Sequence, residues 1–184
     1  MLALTLPRAR LSALSQLLSV LLFAMLTALS ARFTVTLPFT PVPLTLQVLV
    51  VVLSGLVLGP WGGFAAQALV WQAILLGAPL TAYGLSGPLA LVSPTAGYLV
   101  AFPFAAGLAG WIGQRPGGLV LARRLLGSAA ALLLIYALGT AWLATYVGMR
   151  HALALGIAPF VLADTMKILV ASGIATLVRR QPCR

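Results

Sequence analysis

Apolar residues in this chain come in continuous blocks rather than in alternation. Runs such as LQVLVVVLSGLVLG and AALLLIYALG lack the period-two pattern of a membrane β-barrel strand. They approach instead the roughly 20 apolar residues that a membrane-crossing helix needs. Six blocks separate, at residues 14–31, 44–58, 63–77, 96–113, 125–147 and 156–178. The pattern predicts an all-α membrane protein, a bundle of six transmembrane helices. The second and third blocks are short and carry Gly and Pro at their join, so a broken or tilted pair also fits there. No long polar linker, charged tail or strong internal repeat divides the chain, and residues 1–184 read as a single transmembrane domain.

The stretches between blocks are unusual for surface loops. Residues 32–47, RFTVTLPFTPVPLTLQ, hold prolines at 38, 41 and 43, which forbid helix and favour extended or turn geometry. Residues 77–97 hold four glycines, three prolines and no charge. Irregular backbone at membrane depth persists only where it is buried in protein or lines a cavity. Both loops are therefore expected to fold back over the bundle as a lid on a pocket near the outer face.

Composition agrees with the blocks: 62% of residues are hydrophobic and 7% charged. The net charge of +10 raises nucleic acid as a partner, but the basic residues sit at the ends of apolar blocks, where orientation signals belong. With six spans, Arg8, Arg10, Arg115, Arg123, Arg124, Arg179, Arg180 and Arg184 share one side, against Arg32 and Arg150 on the other. That bias predicts cytoplasmic N and C termini, with the lipid bilayer as the partner and no nucleic acid. The first block resembles a signal peptide, but its apolar run is longer than usual and its removal would spoil the charge bias, so it is expected to be retained. Cys183, the single cysteine, has no internal partner for a disulfide.

One feature breaks the apolar logic. Asp164 is the only acidic residue and Lys167 the only lysine, and they lie three positions apart in the last block. On a helix that spacing places them on one face, about 4.5 Å apart along the axis. Counted from Gly156, they are expected roughly 12 to 17 Å into the membrane. Ionisable groups at such depth cost at least ~2.5 kcal/mol each, face the bundle interior and mark functional sites. A buried ion pair is seldom better for stability than an apolar pair, which favours a ligand role over a clamp.

Several chemistries fail on inventory. GLSG at residues 84–87 matches a short intramembrane serine-protease motif, but the only histidine, His151, lies in a separate outer loop, and such a protease needs its base within hydrogen-bond reach. There is no GxxxxGK[ST] phosphate loop. One His, one Cys and one Asp make no metal cluster. The reading is of a non-enzyme with no cofactor. Two rivals stand beside it: a self-contained ion-coupled transporter of a small carboxylate that uses Asp164 and Lys167 as a proton relay, and a hydrolase using Ser86 and His151.

Four motifs, PVPLTLQ (41–47), GLVLGPWGG (55–63), SPTAGYLVAF (93–102) and PFVLADTMK (159–167), occur in an order that resembles the BioY biotin-transporter family, over residues 20–178. Ser93 and Ala96 stand where the family pattern has glycines. The resemblance implies a substrate-binding S component of an energy-coupling-factor transporter, in the cytoplasmic membrane of a bacterium or archaeon, with biotin as ligand and with a transmembrane coupling protein and two ATP-binding-cassette ATPases as partners. On that reading Lys167 would answer the biotin carboxylate, and Asp164 would either accept a ureido N–H or hold Lys167 in place. Gln47, Thr45, Thr95 and Tyr98 would hydrogen-bond the head group, and Tyr83 and Trp71 would pack its rings. Ala24 and Ala28, a small-xxx-small pair on the first helix, would meet the coupling protein.

Overall fold

The computed structural model describes residues 13–178. Arg8, Arg10, Arg179, Arg180, Cys183 and Arg184 lie outside the described residues. Eight helices and one short ribbon follow in order: α1 (Ala13–Ser30), β1 (Thr34–Val35), β2 (Leu44–Thr45), α2 (Gln47–Leu58), α3 (Pro60–Leu75), α4 (Pro88–Leu91), α5 (Ala96–Gly113), α6 (Val120–Val147), α7 (Met149–Gly156) and α8 (Val161–Val178). The fold is helical. The all-α class holds, and the loop expected to be extended adds one short ribbon, in which β1 and β2 pair antiparallel with Thr34 opposite Thr45 and Val35 opposite Leu44. The proline-rich loop between them makes this ribbon because it cannot make a helix.

Four helices, α1, α5, α6 and α8, are long and apolar enough to cross a membrane. The second and third blocks become α2 and α3, of 12 and 16 residues, about 18 and 24 Å long, short of the ~30 Å hydrocarbon core. Gly59, at φ +89, turns the chain between them in a conformation that only glycine adopts cheaply, and Pro60 opens α3 where its missing N–H is harmless. The last block begins as a turn rather than a helix: Gly156 ends α7, residues 157–160 turn, and α8 begins only at Val161.

Helix α5 is the central element, packing against α6, α3 and α2. Approach is close because side chains are missing: a Cβ on Gly55 would lie 2.0 Å from the Ala106 carbonyl oxygen, and one on Gly110 would lie 2.6 Å from the Gly55 carbonyl oxygen. Polar side chains tie the helices laterally. Gln67 Nε2 donates to Thr27 Oγ1 and to Ser54 Oγ, both at 3.1 Å, linking α3 to α1 and α2. Ser128 and Ser172 share a 2.8 Å hydrogen bond between α6 and α8.

The molecule has two distinct ends. At one, Gln114 Nε2 donates to the Leu56 carbonyl at 3.0 Å, setting the α5–α6 turn beside the α2–α3 turn. At the other, three contacts hold the long loops, one to α7 and two to each other. Thr40 Oγ1 donates to the Leu155 carbonyl at 2.8 Å, the Arg32 guanidinium to the Pro79 carbonyl at 2.7 Å, and the Tyr83 hydroxyl to the Pro41 carbonyl at 3.2 Å. The loops cover the bundle, as their apolar composition requires.

Candidate functional site

Beneath those loops lies a cavity walled by the first outer loop, the start of α2, α5, α6 and the start of α8. The space between its walls, counted out to the open mouth, is about 580 Å³. The walls are mostly apolar: Val42, Leu99, Phe102, Ile135 and Phe160 contribute. Convergent polar groups in an apolar concavity are the ordinary composition of a small-molecule site.

Asp164 and Lys167 both line it, and both are buried. Lys167 Nζ donates to Asp164 Oδ1 at 2.6 Å. Theirs is the one ion pair among the described residues. The sequence placed them eight and eleven residues along a helix starting near Gly156; that depth is corrected, because α8 starts at Val161 and Asp164 falls in its first turn. The physical consequence is favourable, since the N-terminal end of a helix stabilises a carboxylate. An ammonium has three donors, so Lys167 keeps two beyond the one given to Asp164.

Gln47, Thr45, Thr95 and Tyr98 also line the cavity, although they differ in availability. Thr45 Oγ1 accepts from the Gln47 backbone N–H at 3.2 Å and donates to Gln47 Oε1 at 3.4 Å. Gln47 itself is 3% exposed, and its Nε2 has no partner. A buried donor without an acceptor costs about 1–3 kcal/mol, a cost that a ligand carbonyl would relieve. Tyr98 is committed elsewhere, its hydroxyl donating to the Gly156 carbonyl at 3.0 Å. The Tyr98 ring lies so close to Gly139 that a Cβ there would fall 2.2 Å from it. Thr95 shares a 3.2 Å hydrogen bond with Ser93 Oγ, one of the two residues that depart from the family pattern.

Two of the expected residues lie outside the cavity lining. Trp71 does not line the cavity; its Nε1 donates to the Leu99 carbonyl at 2.6 Å, which puts the indole behind the wall residue Leu99. Tyr83 is not a lining residue either. It lies on the covering loop, where partial burial raises its phenol pKa above the ordinary value and keeps the hydroxyl a donor to Pro41. Both shifts of role arise from loop and helix-face geometry that spacing does not encode. Ala24 and Ala28 are half-buried on α1, and Ala24 already packs against the cluster of Val70, Ile74 and Ala90 within the molecule. Exposed His151 lies on α7, Ser86 lies in the loop before α4, and no hydrogen bond joins them among the described residues.

Sequence reasoning missed Tyr136. It lines the cavity from α6, and its hydroxyl donates to Asp164 Oδ2 at 2.8 Å. The available signal was a phenol inside the apolar run AALLLIYALG, since a buried tyrosine hydroxyl seeks a partner. Its 28-residue separation from Asp164 gave no hint of which.

The model of the BioY family matches residues 6–182. A probable biotin transporter BioY of Pyrococcus horikoshii is 44% identical over 157 residues, covering 85% of this chain and 91% of that protein. A biotin transporter BioY of Thermotoga maritima is 37% identical over 147 residues, covering 79% and 86%. The fold is shared with a crystal structure described as the S-component for biotin from an ECF-type ABC transporter, at TM-score 0.81 and 20% identity over 92% of this chain and 93% of that one.

Proposed function

Because the chain belongs to the BioY family, we propose that it binds biotin in the cavity under the outer loops and takes it up as the S component of an energy-coupling-factor transporter. The observation that carries this reading is the placement of Lys167, the only lysine, in the cavity wall with two donors to offer. Biotin is an anion with an apolar chain, a fused ring system and a ureido group. Lys167 meets the carboxylate, the unpartnered Gln47 Nε2 meets the ureido carbonyl, and Phe102, Leu99 and Ile135 pack the rest.

The partners are a transmembrane coupling protein, docking along α1 at Ala24 and Ala28, and two ATP-binding-cassette ATPases, which supply energy that a chain with no phosphate loop does not. The chain crosses the cytoplasmic membrane six times through α1, α2, α3, α5, α6 and α8, with both termini cytoplasmic. Arg115, Arg123 and Arg124 at one end of the molecule, against Arg32 and Arg150 at the other, support that orientation. Equilibrium titration of the purified protein with biotin tests the reading: saturable one-site binding is expected, and no binding would overturn it.

A further inference from the structure

Asp164 is held from two helices at once. Oδ1 accepts from Lys167 on its own helix, and Oδ2 accepts from the Tyr136 hydroxyl on α6. A carboxylate gripped by lysine alone is free to turn about its side chain and present both oxygens to the ammonium. That would draw Nζ back toward α8 and away from the cavity. The second grip from α6 prevents this turn. The cavity therefore offers a ligand donors, from Lys167 Nζ and Gln47 Nε2, while each Asp164 oxygen already holds one donor within the protein and keeps one further acceptor site.

We propose that Tyr136 is a positioning residue whose hold on Asp164 keeps the Lys167 ammonium aimed into the cavity, so that Tyr136 and Asp164 act on the ligand only through Lys167. This rests on the biotin reading and deepens it by assigning recognition of the ligand's negative charge to a three-residue relay, Tyr136 to Asp164 to Lys167, and recognition of its carbonyl to Gln47. In this assignment Asp164 serves to hold Lys167, and a contact from its remaining acceptor sites to the ureido N–H groups is the competing arrangement.

The test compares biotin with its neutral carboxamide, which keeps the ureido ring and loses the charge. Tyr136→Phe removes one oxygen atom and leaves the ring to pack. It is expected to weaken biotin at least about tenfold while changing the affinity for the amide by less than about threefold. Equal losses for both ligands would assign Tyr136 to general packing and overturn the proposal, as would no loss for either. A second measurement needs no variant. Because the chain has one lysine and one acidic side chain, isotope-labelled lysine and aspartate each report a single side-chain signal by NMR. In the unmodified protein, biotin is expected to move the lysine signal strongly, and the amide to leave the aspartate carboxyl signal close to its unliganded position. An aspartate signal that the amide moves as far as biotin does would mean direct contact with the ureido group and would overturn the relay even if Tyr136→Phe did not fold. Binding of neither ligand by the unmodified protein would overturn the biotin reading itself, a result distinct from both.

Discussion

A single ammonium in an apolar wall is worth most when its counter-ion is fixed and its ligand is charged. Lys167→Ala removes a charge-assisted contact of about 1.5–3 kcal/mol and leaves Asp164 a buried acid without its counter-ion. Biotin affinity is expected to fall at least tenfold, since ~1.4 kcal/mol is one decade, whereas the neutral amide, weaker from the start, loses much less. Titration calorimetry on both ligands checks this, and a variant that binds biotin normally but melts at a different temperature would make the pair a structural clamp. The pair itself was legible in the sequence, because three-residue spacing on a helix dictates contact and an apolar setting makes the charges conspicuous. The second contact of Asp164 was not legible, because it comes from Tyr136 on another helix.

Elements show the same division. Six apolar blocks correspond to six of the eight helices, since length and continuous hydrophobicity are local properties. Boundaries moved where tertiary contacts compete with pattern: α2 starts at Gln47 because residues 44–45 are drawn into the ribbon with residues 34–35, and α8 starts late because Thr40 and Tyr98 hold the carbonyls of Leu155 and Gly156 at the end of α7. Helix α1 carries the prediction at this scale. Ala28→Leu is expected to weaken co-purification with the coupling protein while biotin binding persists, because a small residue lets a partner helix approach closely. Ala24→Leu presses instead on Val70, Ile74 and Ala90 and is expected to lower the melting temperature. Unchanged co-purification for Ala28→Leu would move the docking surface off this helix.

Across the whole molecule, the arrangement of charge follows the two ends. A reporter fused after Arg184 is expected to be active only in its cytoplasmic form; activity of a periplasmic reporter at that position would sink the six-span orientation. The same two-ended build explains how the cavity is covered. The uncharged loop of residues 77–97 and the proline-rich loop of residues 32–47 have too few polar side chains to stand in water, so they close on one another through Arg32 and Tyr83, and Thr40 ties the second of them to α7.

The sequence by itself determined the solvent, the helical class, the buried charge pair, the covering loops and, through four ordered motifs, the family. Each depends on composition or on spacing along one segment, where covalent geometry fixes what lies near what. Only the tertiary structure decided that Tyr136 grips Asp164, that Gln47 Nε2 is left without a partner, that Trp71 stands behind the wall and that Tyr83 belongs to the lid. Those facts arise between segments far apart in the chain, and which side chains meet there is set by how closely glycine-bearing helices such as α2 and α5 can pack.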